Sequence, residues 1–472
     1  MHERLGDKVR ILLVANGLPP REWAGVELDT YHLALSLADR HEVWLYVRAS
    51  DRSRPEFAEW DECVGKLRVR RVINNFADPG NFIGFFRVPQ IDRQFRRYVD
   101  EIRPDVVHFQ HLIGLSATLP AVTYSQDIPS LLTLHDYWWV CPRVQLLRGD
   151  LSPCPGPSHH FDCVGCLTDH RVAPAIERRT ALQRLRSAIA YQLKEGTSFP
   201  HLLAILGRRA LEVPFERAPT PSQDLASRLR LHDYRLHVMQ HLLRYPDVIT
   251  APSRYVRDLI SREFDLPAER IRIVPLGIPP LPTEMRRDPA GKIRFCYVGT
   301  VAPHKGVHVL IEAAGRLRDA PIEVHIYGAD GNLPQYLNKL YALDRSLVYH
   351  GPYQRTELSR IFSQTDVLVL PSLWAETFSI IIREAAMAGV PVIASRVGAI
   401  PEFIQDGKNG LLVTPGSVDE LASAMNRLIS DSTLRQRLGT GHPQVRDLEE
   451  YTREIEEIYE SISLAPVCRP SE

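Results

Sequence analysis

The chain has 472 residues with 57 Lys+Arg and 57 Asp+Glu, enough length for two domains that each bury a core. Its formal net charge of zero argues against a polyanion such as nucleic acid as the main partner. No apolar run reaches the roughly 18–20 residues of a membrane span, and the stretch Met1–Lys8 lacks the apolar centre of a secretion signal.

In chain order, Val9 to Asn16 is an apolar run ending at Gly17 and reads as a buried strand. The loop Arg21-Glu22-Trp23-Ala24-Gly25-Val26-Glu27 leads into a helix through about Ala38. Further strands are expected at 41–47, 105–110, 130–136 and 247–253, with helical stretches between several of them. Near-continuous apolar strands alternating with helices predict a parallel, doubly wound sheet. A second alternation follows at 292–299, 322–328, 347–351, 366–372 and 391–397. Pro279-Pro280-Leu281-Pro282 is a natural linker between the two. The expected division is an N-terminal domain 1–282, a C-terminal domain 283–440 and a final segment 441–472. Two such sheets would face a cleft at the carboxyl ends of their strands, where open α/β sheets bind ligands.

Cys141, Cys154, Cys163 and Cys166 open an insertion, about 141–245, in the first domain. Cys163-x2-Cys166 is a common half-site for a tetrahedral metal, so a structural zinc or iron–sulfur site on the four cysteines is one expectation. His159 or His160 could replace one ligand, and four plain thiols are the alternative. The seven cysteines otherwise suit a reducing, cytoplasmic compartment. The following residues are helical by periodicity, with Arg178-Arg179, Arg184, Arg186 and Arg208-Arg209 among leucines and alanines. Such a surface suits an anionic membrane or a lipid diphosphate, or is simply a solvated helix face.

The chemistry concentrates at Glu376-Thr377-Phe378-Ser379-Ile380-Ile381-Ile382-Arg383-Glu384. Ser379 suits a helix N-cap and Gly389 a C′ position, which puts Glu376 at the helix start and Glu384 inside it. At ~1.5 Å per residue the second carboxylate lies roughly 6–8 Å deeper. Between them the first amides of the helix, at Phe378 to Ile381, favour an anion. Hydroxyls, diphosphate, hydroxyls is the order of groups in a nucleotide sugar. Gly299-Thr300-Val301-Ala302-Pro303-His304-Lys305-Gly306 joins a strand to a helix and offers backbone amides and the Lys305 charge to a phosphate.

Glu376-x7-Glu384 resembles the motif of the retaining family 4 glycosyltransferases with the GT-B fold, and the likeness extends over most of 9–135 and 246–440. The resemblance implies two Rossmann-like domains, with the last helix crossing back to the first. It places Glu376 at the donor sugar's hydroxyls, Glu384 at the ribose, and His135, in Leu134-His135-Asp136-Tyr137-Trp138, near the transferring sugar. Gly25 matches a glycine turn that relatives write Gly-Gly, and Gly351-Pro352-Tyr353 lies where relatives hold the base. Thr300 departs from the pattern, since many relatives carry an arginine there.

The site expected on this basis has His135, Glu376 and Lys305 in catalysis, with Gly25, Gly299, Thr300, Lys305, Phe378, Ser379, Ile380 and Glu384 holding the donor. The expected reaction is retaining sugar transfer from a nucleoside-diphosphate sugar to a glycan or lipid-linked acceptor, at or near the cytoplasmic membrane face. No Asp-x-Asp motif stands where a divalent ion would bridge a diphosphate, so no cofactor is expected for the chemistry. The other readings are a phosphorylase or epimerase on the same fold, or a non-catalytic scaffold using the cysteine knuckle. Lys305, Glu376 and Glu384 occurring together favour the enzyme.

Overall fold

A computed structural model describes residues 8–76, 82–148, 151–156, 163, 166, 221–282, 284, 291–330, 333–344 and 347–464. The chain forms two compact units. The first comprises 1–133, 157–249 and 458–472; the second comprises 134–156 and 250–457.

The first sheet contains β1 (Arg10–Ala15), β2 (Glu42–Ala49), β3 (Glu59–Val64), β4 (Leu67–Ile73), β5 (Val106–Phe109), β6 (Ser130–Thr133), β7 (Val248–Ala251) and β8 (Ile271–Ile273). Their order is β3-β4-β2-β1-β5-β6-β7-β8. β1 pairs in parallel with β2 on one side and β5 on the other. Both of its edges are therefore paired, and Ile11 to Ala15, apolar without interruption, are fully buried, as expected of a parallel strand covered on both faces. β3 and β4 form an antiparallel hairpin at the edge, closed by Gly65 and Lys66 between the pair Val64 and Leu67. Sequence reading missed this hairpin, because Arg68, Arg70 and Arg71 interrupt its apolar pattern.

The second sheet contains β9 (Ile293–Val298), β10 (Ile322–Tyr327), β11 (Val348–Gly351), β12 (Val367–Leu370), β13 (Val392–Ser395) and β14 (Leu411–Val413). All its pairs are parallel, in the order β11-β10-β9-β12-β13-β14. From β9 the chain winds outward through β10 and β11, then returns to β12 on the other side. The junction of β9 and β12 is thus the topological switch point, where connecting loops part and leave room for a ligand.

The units divide differently from a cut at 282. Segment 134–156 groups with the second unit, where the Tyr137 hydroxyl donates to the Ala375 carbonyl at 3.0 Å. So does 250–282, where the first amides of the helix Arg254–Phe264, those of Arg254 and Tyr255, donate to the Glu402 carboxylate at 3.0 and 2.7 Å. The last helix, Leu448–Leu464, groups with the first unit from Ile458 onward. There the Tyr459 hydroxyl meets His108 Nδ1 at 2.7 Å, and His108 Nε2 meets Thr133 Oγ1 at 2.7 Å, all buried. Tyr459→Phe removes its bond to the buried imidazole, whose Nδ1 Gln110 Nε2 also meets at 3.2 Å. It is expected to lower the unfolding free energy by about 0.5–1.5 kcal/mol, read from the urea midpoint at unchanged m.

Candidate functional site

Two loops leave the switch point of the second sheet. One runs from Gly299 after β9 to Lys305; the other runs from Pro371 after β12 to Glu376. They lie against each other because Gly306, at φ 71°, has no side chain. A Cβ there would stand 1.9 Å from the Pro371 carbonyl oxygen. Backbone bonds join them as well, since Leu373 and Trp374 N–H donate to the His304 carbonyl at 2.9 and 3.3 Å. On the other side Gly398 presses on the Glu376 backbone, where an added Cβ would meet Glu376 O at 2.3 Å.

Glu376 is buried, and every side-chain hydrogen bond to its carboxylate among the described residues falls on Oε1. Lys305 Nζ donates at 2.8 Å, Ser372 Oγ at 2.6 Å and Trp374 Nε1 at 2.8 Å. Lys305 Nζ also lies 4.6 Å from the centroid of the Trp374 ring, whose π-face favours a cation. Burial alone would raise the Glu376 carboxyl. The Lys305 charge and the hydrogen bonds of Lys305, Ser372 and Trp374 outweigh it and hold the group below its ordinary value. His304 is pushed down to about 4 by burial and by the neighbouring Lys305 charge, so it is neutral at pH 7.

Glu384, on the short helix Ile380–Met387, is buried too, but among the described residues its carboxylate has one side-chain partner. Arg355 Nη1 donates to its Oε1, and Arg355 Nη2 donates to the Pro279 carbonyl at 2.7 Å. Burial pushes this carboxyl up to about 7 against the pull of Arg355. Two buried carboxylates eight positions apart, each beside a cation, therefore sit on opposite sides of the usual range. Three donors hold one, and a single shared guanidinium holds the other.

A Glycosyl transferases group 1 model matches residues 284–444, and a Glycosyltransferase Family 4 model matches 23–161 and 214–280. Residues 284–444 are thus a group 1 glycosyltransferase region, preceded by one of the family 4 type. An uncharacterized glycosyltransferase of Methanocaldococcus jannaschii is 28% identical over 219 residues, 43% of this chain and 56% of that one. The MMP alpha-(1→4)-mannosyltransferase of Mycolicibacterium hassiacum is 32% identical over 203 residues, 41% of this chain and 48% of its own. The chain thus spans about half the length of the curated relatives it matches. Anabaena HepE, solved with UDP and glucose, aligns with TM-score 0.61 at 16% identity, over 96% of this chain and 100% of HepE. That likeness establishes the GT-B fold, two parallel-sheet α/β domains.

Of the residues expected from the family motif, the structure brings Lys305 and Glu376 into direct contact. Glu384 follows along the helix, paired with Arg355. Buried His135 follows β6, and its neighbour Tyr137 bonds the Ala375 carbonyl, so its segment meets the Glu376 loop. Gly299 has φ 146°, and the Thr300 carbonyl accepts from the Tyr297 hydroxyl at 2.7 Å. Gly25 opens the helix Gly25–Leu37 of the first unit with a helical conformation, where a glycine turn was expected.

One expectation fails at Ser379. It precedes the helix but has φ 61°, makes no capping bond, and leaves its Oγ buried without a partner. Arg383 accounts for this. Its guanidinium stacks on the Phe378 and Phe403 rings and donates to the Phe378 and Ser379 carbonyls, holding that backbone in the left-handed turn. Burial lowers the Arg383 pKa to about 9.

The cysteine expectation gains no support. Among the described residues, which include Cys141, Cys154, Cys163 and Cys166, no three His, Cys, Asp or Glu side chains could hold a metal ion. His159, His160 and the arginine pairs at 178–209 lie outside the described residues. A groove of about 320 Å³ in the first unit, lined by Phe57, Asn74, Phe76, Arg87 and Arg93 among others, contains none of the motif residues.

Sequence reading missed Ser372, Trp374, Arg355 and Gly398 as parts of the site. Trp374 was legible as an aromatic residue beside a motif glutamate, and Gly398 as a turn resembling the family's; Ser372 and Arg355 carry no signal before folding. Lys305→Met should strand a buried carboxylate and lower the unfolding free energy by about 3 kcal/mol at pH 7. Glu376 has a depressed pKa in the folded chain, so its contribution is complete above 4.5 and is lost as pH falls through the lower folded value. Urea titrations should therefore show wild type and variant converging in acid.

Proposed function

We propose that the protein moves a sugar from a nucleoside-diphosphate donor to a hydroxyl of a glycan or lipid-linked saccharide, with retention at the anomeric carbon. The observation that carries this reading is the pair of buried carboxylates at the switch point of the second sheet, each held on one oxygen by a cation. The names of the relatives support it, and HepE with UDP and glucose bound supports the donor class.

In this reading Glu376 accepts hydroxyls of the donor sugar through Oε2, the oxygen to which no described residue donates. Glu384 takes the ribose, and His135 a hydroxyl near the reacting carbon. Gly25, Gly299, Thr300 and the backbone from Phe378 to Ile380 let main-chain groups approach the sugar and the diphosphate. The bond from the anomeric carbon to the diphosphate breaks, and the leaving oxygens gain negative charge. Lys305 and nearby amides offset that charge. The acceptor oxygen bonds on the same face, and its proton passes to the departing phosphate. The charge a divalent ion could supply is assigned here to Lys305, so the chemistry is metal-independent.

The acceptor in this reading is met at the cytoplasmic face of the membrane. No helix among the described residues is long and apolar enough to cross a membrane.

Thermal-shift titration with UDP, GDP, ADP and their sugars tests the core of the reading, and no stabilisation by any of them would sink it. Glu384→Ala should weaken nucleotide binding by about 1.5–3 kcal/mol, the worth of charge-assisted hydrogen bonds. Glu376→Ala and His135→Ala should lower kcat with little change in nucleotide affinity. EDTA in a short assay should leave transfer intact, and an absolute need for added Mg²⁺ or Mn²⁺ would contradict the role given to Lys305.

A further inference from the structure

Arg355 has no part in the family motif, yet it is the cation that faces Glu384. It sits on the short turn Arg355–Glu357 that follows β11. A reciprocal cap fixes this turn, with the Gln354 N–H donating to Glu357 Oε2 at 2.9 Å and the Gln354 side chain accepting from the Glu357 backbone. The guanidinium is then tied at two points, by Nη1 to Glu384 Oε1 and by Nη2 to the Pro279 carbonyl at 2.7 Å. A side chain anchored at both ends is a fixed post, unlike a mobile plug that a ligand would push aside. It engages Glu384 through one oxygen, and among the described residues none donates to Oε2. The side chains of Arg355 and Glu384 are 19% and 7% exposed, so the pair has little water to screen it.

We propose that Arg355 is a positioning residue for nucleotide binding: it keeps Glu384 charged and aims Oε2 at the vicinal hydroxyls of the ligand's ribose. The proposal rests on the reading of Glu384 as the ribose carboxylate given above. A charged carboxylate accepts two hydroxyl bonds, each stronger than a neutral acid would give. Burial works against that charge and already holds Glu384 near 7 with Arg355 in place. The titratable groups facing the carboxyl are Arg355 and the Tyr353 hydroxyl, whose own pKa burial raises, so Tyr353 stays neutral. Without the guanidinium no charge among the described residues opposes burial, and Glu384 should carry a proton at neutral pH.

The test is calorimetric binding of UDP, GDP and ADP, and of the 2′,3′-dideoxy form of each, to the full chain between about pH 6 and about pH 9. Wild type, Arg355→Lys and Arg355→Gln are compared. Wild type should prefer a ribose nucleotide to its dideoxy form, with affinity rising as pH passes through 7. Arg355→Gln should lose about tenfold near pH 7 and regain it toward pH 9, while Arg355→Lys keeps most of the affinity. The dideoxy forms should respond to neither change. Unchanged or tighter ribose-nucleotide binding by Arg355→Gln overturns the proposal, and so does an equal loss at every pH, the mark of a merely structural residue. A wild type that binds both forms equally removes the ribose reading of Glu384 and this proposal with it. Binding of no nucleotide at all removes the proposed function.

Discussion

Two carboxyl groups buried beside cations are the constraint around which the second unit is arranged. Taking a carboxylate out of water costs several kcal/mol unless cations and donors replace the lost hydration. At Glu376 the replacement is complete on one oxygen, with Lys305 from the β9 loop and Ser372 and Trp374 from the β12 loop. That requirement brings two loops from opposite sides of the switch point into contact, and Gly306 and Gly398 are the concessions that let them close. At Glu384 one guanidinium does the same work less fully. The two members of one motif consequently differ in basicity without differing in residue type.

The same arrangement explains the division of labour proposed for them. A carboxylate gripped by three donors is fixed in place and held below its ordinary pKa, suited to orienting hydroxyls beside a reacting carbon. A carboxylate near neutrality is responsive, suited to recognition. Lys305 is shared between structure and the proposed chemistry, since the ammonium that balances Glu376 is also the cation proposed to offset the leaving group's charge. Its position above Trp374 uses a third kind of contact on a single ammonium. Substitution there disturbs all three at once, so its effects on folding and on turnover must be measured separately.

Much of the fold was legible because parallel strands covered on both faces carry unbroken apolar runs, as Ile11 to Ala15 and Val367 to Leu370 do. The β3–β4 hairpin was not, because Arg68, Arg70 and Arg71 interrupt β4, and the edge strand β3 carries Glu59, Asp61 and Glu62. In the site, Lys305, Glu376 and Glu384 were legible through motif spacing. Their partners were not: Lys305 and Glu376 are 71 positions apart, and Arg355 and Glu384 are 29 apart. Ser379 shows the opposite failure. Its residue type suggested a cap, but the backbone was set by Arg383, which lies on the next turn and takes the carbonyls that an ordinary helix start would leave to others.

The attachment of 134–156 and 250–282 to the second unit bears on how this chain can be taken apart. A fragment begun at 284, where the family model starts, would retain the motif but lose the amides that satisfy Glu402 and the Tyr137 hydroxyl that satisfies the Ala375 carbonyl. It would also lose Pro279, the second anchor of Arg355. The stretch that the family model matches is therefore smaller than the stretch whose polar contacts are complete.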